Sequence, residues 1–336
     1  MSQNMAKWLE LSGDFSCNNR CLGCYSISGD ASRMSTGEAL EHLRHGRAEG
    51  ARWLWLGGGE PTLRRDLFAI ARAARAMGYT RVKLQTNGML LSYPDYVSRC
   101  VDAGITETTF SIKGATAASH DRLTQTPGCF EHLQRGIDEW CRRGLTADGD
   151  ILLYRSGLPE FVDMIRVFHA RGLERFNVWL FSATEFGEGT LADEVPKIAD
   201  AIHAIGEALA LNLSARTDFI TSLHTPPCTV PRGLSACLFH AAALELIVAN
   251  PGGYRFRLEE SPIEGGHYLE SCIKCTLRRR CNGLRQDYLK VYGDAEFQPE
   301  TEPDDRPIPV LRDVVGLDYR ADGGGSEEGG DSGSRA

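Results

Sequence analysis

Residues 8–24 read Trp8-Leu-Glu-Leu-Ser12-Gly-Asp-Phe-Ser-Cys17-Asn-Asn-Arg-Cys21-Leu-Gly-Cys24. A short apolar strand, Trp8–Ser12, runs straight into a loop, Asp14–Arg33, that carries three cysteines. Working outward, Ser35-Thr36-Gly37-Glu38 has the form of a capping box and predicts a helix to about Gly50. Trp53–Leu56 reads as the next strand. A helix follows, with Leu67, Ile70, Ala71, Ala74 and Met77 on one face. Strands are then expected at Val82–Gln85, Thr108–Ile112, Ile151–Tyr154 and Phe176–Phe181. Helices are expected at Pro94–Ala103, Phe130–Arg143 and Glu160–Ala170. Six strand–helix units in succession imply an α/β fold with a parallel sheet and right-handed crossovers. They predict a partial (β/α)6 TIM-like barrel rather than a two-layer open sheet. Barrel active sites lie at the C-terminal ends of the strands, where the cysteine loop falls.

The periodic region extends through an amphipathic helix at Asp193–Leu211, and we read 8–220 as the barrel core. After about Thr225 the texture changes. Leu244–Ala249 and Tyr254–Leu258 flank Pro251-Gly252-Gly253, a hairpin signal. Residues 221–299 are expected to form a small C-terminal auxiliary domain. From Glu300 onward the chain is acidic and then Gly/Ser-rich, with ten Asp or Glu against four Lys or Arg. We read 300–336 as a disordered tail. That tail carries −6 of the formal net charge of −8, which leaves the rest near neutral and without a basic footprint for nucleic acid. No apolar run approaches the roughly 20 residues of a membrane span. The N-terminus lacks the basic-then-apolar pattern of a signal peptide. A cytoplasmic, non-membrane protein is expected.

Eleven cysteines are many for 336 residues, and six fall in two tight groups. Cys100, Cys129 and Cys141 are expected to be small buried hydrophobes. The first group has the spacing C-x3-C-x2-C. Three thiolates on one short loop hold three irons of a cubane and leave the fourth open to an exogenous donor. The competing reading, structural zinc, wants four ligands, and the nearest histidine, His42, is on an expected helix.

Cys17, Cys21 and Cys24 followed by an aromatic, Tyr25, resemble the signature of the radical S-adenosylmethionine (SAM) superfamily. Gly57-Gly58-Gly59-Glu60-Pro61 after the second strand is similar to that family's GGE motif. The resemblance implies that Gly57, Gly58, Gly59 and Glu60 meet the methionyl amino group of SAM, with Glu60 accepting from the ammonium. Thr86-Asn87-Gly88 ends the third strand like the family's TNG and carries Asn87 over as a contact. Phe110-Ser111-Ile112-Lys113-Gly114 ends the fourth; many relatives have Ser-x-Asp there, and Lys113 stands in place of the Asp. Ser111 and Lys113 are expected SAM contacts, with a solvated turn as the other reading of Lys113. Arg155 ends the fifth strand, placed for the SAM carboxylate or simply for the surface. The resemblance spans residues 8–182 and implies one SAM-binding [4Fe-4S] cluster, SAM itself, and a flavodoxin- or ferredoxin-type electron donor.

The second group, Cys272-Ile-Lys-Cys275-Thr-Leu-Arg-Arg-Arg-Cys281-Asn-Gly, resembles the auxiliary-cluster domains called SPASM and, when shortened, twitch. Tyr288, Tyr292-Gly293 and Glu296-Phe297 fit such tails. Arg285 stands where a further cysteine is expected, so the resemblance implies one auxiliary [4Fe-4S] cluster, with zinc as the alternative. Its fourth ligand is Cys228, in a rigid Pro-Pro-Cys segment, or Cys237. Whichever of the two is not a ligand remains a free thiol; Cys237 in that role is a candidate hydrogen donor to a substrate radical, or core.

The family chemistry implied is reductive cleavage of SAM to a 5′-deoxyadenosyl radical that takes a hydrogen atom from an unactivated carbon. Three readings of the outcome stay open. One is tailoring of a small metabolite of sugar, aminoglycoside or nucleoside type, by epimerisation, oxidation or decarboxylation in natural-product biosynthesis. Another is maturation of a ribosomally made precursor peptide by cross-linking, epimerisation or cleavage. The third is a non-catalytic iron–sulfur scaffold. Only sixteen residues precede Cys17, which leaves no expected leader-gripping domain and favours the small metabolite.

Overall fold

The computed structural model describes residues 7–24, 33–183, 191–223, 225–239, 241–260 and 266–303. Tyr25 and the tail from 304 onward lie outside the described residues. Seven parallel strands follow one another: β1 (Trp8–Ser12), β2 (Trp53–Gly57), β3 (Arg81–Thr86), β4 (Glu107–Ile112), β5 (Thr146–Leu153), β6 (Phe176–Leu180) and β7 (Ile220–Leu223). Beyond β1 lie β8 (Leu246–Ala249), parallel to it, and β9 (Arg255–Arg257), antiparallel to β8. The sheet order is β7-β6-β5-β4-β3-β2-β1-β8-β9.

The expected hairpin around Pro251 is thus present, but it extends the barrel's own sheet. The expected boundary at 220/221 falls inside β7, a seventh strand that four residues, Ile-Thr-Ser-Leu, were too short to announce.

The crossovers are helical: α1 (Thr36–Ala48), α2 (Leu67–Ala76), α3 (Pro94–Asp102), α4 (Ala117–Thr124), α5 (Cys129–Cys141), α6 (Phe161–His169) and α7 (Ile198–Ala210). A last helix, α8 (Gln286–Tyr292), lies in the C-terminal segment. Ser35 caps α1, its hydroxyl accepting from the Glu38 N–H at 3.1 Å. The Glu38 carboxylate turns away from the box and accepts from Gly253 N–H at 2.9 Å. The cap therefore also ties α1 to the β8–β9 turn.

Alternate residues of each strand face opposite sides of the sheet. Leu9, Leu11, Leu54, Leu56, Val82 and Leu84 join the large core under the helices, each burial worth about 1.5–3 kcal/mol. The other parity points inward. Trp8, Trp55, Lys83, Asp148, Asn177 and Thr221, drawn from β1 to β7, all line one interior cavity, so the sheet curls into a partial barrel. Polar residues inside the barrel explain why β5 begins five residues earlier than its apolar run. Asp148-Gly149-Asp150 reads as a turn in sequence, but both carboxylates point into the barrel and are paired there. Asp148 accepts from Arg175 at 3.1 and 2.5 Å, and Asp150 from Gln85 and Asn177, each at 2.8 Å.

Candidate active site

The cysteine loop is held by the chain on three sides. On one, β2 ends in the three glycines. Gly59 N–H donates to Asp14 O at 2.7 Å and Glu60 N–H to Ser16 O at 2.8 Å. Gly58 has φ +108°, and a Cβ on Gly59 would stand 2.3 Å from Ser16 O. The glycines let the backbone just before Cys17 lie directly on the turn. Their nearest neighbour is the chain itself.

On the second side, α4 ends under the loop. Its last carbonyls, Leu123 O and Thr124 O, accept from Leu22 N–H at 2.9 Å and Arg20 N–H at 3.0 Å. This helix was missing from the sequence reading. Thr116 and Ser119, which form its capping box, were the available signal. On the third side the Tyr154 hydroxyl donates to Leu22 O at 2.7 Å, and its ring stacks on Phe181 at 4.6 Å.

Glu60 is 1% exposed. Its Oε1 accepts from Thr62 N–H at 3.0 Å, Thr62 Oγ1 at 2.5 Å and Thr86 Oγ1 at 2.8 Å; its Oε2 accepts from Asn87 N–H at 2.8 Å. Burial nevertheless raises its pKa, with these donors opposing. A carboxylate has about four lone-pair sites, two on each oxygen. Oε2 therefore keeps one acceptor site, while most of Glu60 serves to lock the ends of β2 and β3 together. Asn87 continues the lock, donating from Nδ2 to Asn18 Oδ1 at 2.7 Å.

Cys17, Cys21 and Cys24 line one cavity of about 210 Å³ at the carboxyl ends of the strands. Gly58, Gly59, Glu60, Asn87, Ser111 and Lys113 line it too. Burial pushes the Cys17 thiol up to about 12. It raises Cys21 as well, with the Lys113 ammonium pulling the other way. A bound metal inverts this preference by taking the thiolate form.

The donor set fits a cluster. Among the described residues no three Cys, His, Asp or Glu side chains converge closely enough to hold a single ion. The described lining offers three thiols and no fourth cysteine or histidine, which suits a cluster with one open iron better than four-coordinate structural zinc. Arg155 is not among the residues lining the cavity; it is half-exposed and sits 3.9 Å from Asp193. The floor of the cavity is made by residues that sequence did not single out: Gln85, Asp150, Leu152 and Trp179. Only strand parity pointed to them.

Cys228, Cys272, Cys275 and Cys281 line a second, small cavity. Burial pushes the Cys281 thiol up to about 12, and the other three thiols add to the rise. The Gly283 N–H approaches Cys281 Sγ at 3.3 Å. Cys237 is elsewhere. It is 1% exposed within the apolar core and is not among the described residues lining either cysteine cavity. The turn Arg232–Cys237 rotates it inward, next to the bridge between Ser222 and Leu238.

Arg285, in the place of an expected cysteine, is a buried tie instead. It donates to Leu180 O at 2.7 Å and Phe181 O at 2.9 Å. Asp287 accepts from Ser182 Oγ at 2.9 Å and Ala183 N–H at 3.0 Å. These bonds fasten the second cysteine segment to the carboxyl end of β6. Cys100 and Cys129 are buried as expected, and Cys141 is partly buried. Cys129 also accepts from Asn19 Nδ2 at 3.2 Å, inside the first loop.

The radical SAM superfamily profile matches residues 15–168. An AdoMet-dependent heme synthase of Methanosarcina barkeri is 32% identical over 182 residues, 53% of this chain and 51% of that protein. The mycofactocin maturase MftC of Mycobacterium tuberculosis is 29% identical over 132 residues, 39% of this chain and 33% of that protein. The chain spans about half the length of the heme synthases it matches. Streptococcus suis SuiB bound to S-adenosylmethionine superposes with a TM-score of 0.62 over 89% of this chain and 77% of that one. At 12% identity, that likeness is one of fold alone. No described helix is long and apolar enough to cross a membrane.

Proposed function

Because the chain belongs to the radical SAM superfamily, we propose that Cys17, Cys21 and Cys24 hold a [4Fe-4S] cluster whose open iron takes SAM, and that the enzyme tailors a small polar metabolite. Bound there, cluster and SAM supply a 5′-deoxyadenosyl radical that removes a hydrogen atom from an unactivated carbon. The chain's own residues do the rest. The spare lone pair on Glu60 Oε2 and the polar edges of Asn87 and Ser111 suit the amino-acid end of SAM. Lys113, inside the cavity, suits a carboxylate better than the half-exposed Arg155 does. The loop is pinned by Thr124, Leu123 and Tyr154, which limits the motion of the three thiols.

One observation carries the substrate reading. Among the lining residues is a buried carboxylate, Asp150, held at both oxygens by Gln85 and Asn177, with Trp179 lining the same cavity. A fixed acceptor beside an aromatic face suits a hydroxyl- or amine-bearing ring of the sugar, aminoglycoside or nucleoside kind. Epimerisation, oxidation and decarboxylation are all compatible with it. Cys228, Cys272, Cys275 and Cys281 would hold a second [4Fe-4S] cluster, in a segment that Arg285 and Asp287 tie to the end of β6, and its role would be electron exchange with the substrate. A flavodoxin or ferredoxin would supply the first electron.

The test is anaerobic turnover of the reconstituted enzyme with extracts of deuterated cells, reading deuterium in 5′-deoxyadenosine. Transfer from the low-molecular-mass fraction is expected. Transfer from the peptide fraction alone would replace the small metabolite with a precursor peptide. No 5′-deoxyadenosine from any fraction, even with dithionite, would leave a scaffold.

A further inference from the structure

The barrel holds a second cavity, of about 210 Å³, nearer the amino ends of the strands. Among the described residues it shares only Trp179 with the cysteine cavity. Three of the chain's five tryptophans, Trp8, Trp55 and Trp179, form its walls, with Leu244 at the edge. So aromatic a space in the amino half of a barrel is more than packing requires, because barrel interiors are normally filled by branched aliphatic side chains.

Three cations reach it, and two are already committed. Arg81 makes paired contacts with Glu107 at 2.8 and 2.5 Å. Arg175 holds Asp148 at 3.1 and 2.5 Å and also reaches Asp218 at 3.6 Å. Lys83 differs. It is 8% exposed, yet among the described residues it has no hydrogen bond and no carboxylate within 4.0 Å. Its Nζ lies 4.0 Å from the centre of the Trp55 ring and 5.1 Å from that of Trp8. Cation–π contact offsets only part of the cost of desolvating an ammonium. All three N–H donors remain to be satisfied.

We propose that this cavity is a binding site, distinct from the catalytic one, for a small monocarboxylate with a planar apolar body. Among the described residues Lys83 is the cation of this cavity with no direct partner. Burial disfavours its charge, and Asp150, Asp148 and Glu107 act on it only from farther away. A single negative charge placed against it is what the site lacks. A dianion such as phosphate would also meet Asp148 and Asp218. The carboxylate pairs with the Lys83 ammonium, and the apolar body lies along Trp8, Trp55 and Trp179. The catalytic proposal is not needed for this, and binding is read without turnover.

The experiment is calorimetric titration of the reconstituted protein with 1-naphthoate and with its neutral counterpart, 1-naphthamide, with and without SAM. Naphthoate is expected to bind about tenfold or more tightly than the amide, the ordinary worth of a charged hydrogen bond. Lys83→Gln should remove that difference by weakening naphthoate alone, and SAM should not displace it. Leu244→Trp, which fills the edge of the cavity without touching the charge, should weaken both ligands; it serves where Lys83→Gln does not fold. Equal affinity for acid and amide would overturn the proposal. So would displacement by SAM, which would put the ligand in the cysteine cavity, or the absence of binding, which would leave Lys83 to water.

Discussion

Gly59→Ala tests whether the triple glycine exists to seat the cysteine loop. The added Cβ would stand 2.3 Å from Ser16 O and 2.7 Å from Phe15 C, where ordinary contact begins at 3.4 Å. The loop must therefore retreat by about 1 Å. The obstruction is backbone, so no side chain can swing aside. Overpacking of this kind costs about 1–3 kcal/mol. The retreat also stretches the bonds from Gly59 to Asp14 and from Glu60 to Ser16, worth about 1 kcal/mol each. The total is about 3–5 kcal/mol, delivered one residue before Cys17. Gly57→Ala is the internal control. Its Cβ would approach Glu10 Oε1 at 2.7 Å, the movable end of a side chain, so its cost should stay below about 1 kcal/mol. Urea unfolding of the apo-proteins gives the stabilities, and iron per chain after anaerobic reconstitution gives the state of the loop. Gly59→Ala should be the less stable variant and should lose most of the first cluster's roughly four irons. If it unfolds with Gly57→Ala and keeps its iron, the loop-seating argument is refuted.

Three other expectations follow from the same geometry. Replacing Cys17, Cys21 and Cys24 together by Ala should lower the iron of the full protein from roughly eight per chain to roughly four and reduce 5′-deoxyadenosine to background; SAM cleavage by that variant would remove the basis of the assignment. Cys228→Ala should abolish the second cluster in Mössbauer spectra, whereas Cys237→Ala should keep both clusters and product formation at a stability cost of about 1 kcal/mol; the opposite pattern would make Cys237 the ligand. Glu10, facing Lys83 and Asp150 inside the barrel, is raised by burial to about 7 from 4.5, with Lys83 opposing and Asp150 adding. Because its folded pKa lies above the unfolded one, its contribution is fully present below about 4.5 and is lost as pH rises to about 7. Glu10→Gln should flatten that segment of a Tm-versus-pH curve, and an unchanged slope would show that Glu10 is not its source.

The Cys17–Cys24 spacing, the glycine turn and most strand–helix units were legible in sequence because each is local. Ligand spacing on one loop, a cap three residues long and an apolar period of two or 3.6 all act within a few neighbours. Strand β5 was half-hidden because Asp148 and Asp150 look like turn residues, and only partners on β3 and β6 make them interior. Helix α4 escaped because its work, accepting from the cysteine loop with its last carbonyls, is a contact across about a hundred residues of chain. The choice between Cys228 and Cys237 was open for the same reason. Nine residues separate them in sequence, but one faces Cys272, Cys275 and Cys281 and the other is folded into the apolar core. Sequence alone thus determined the chemistry offered by the first loop and the layered α/β plan that carries it. Which side chains share a cavity was decided by the curl of the sheet, since closing a barrel brings together residues whose separation along the chain has no period to read.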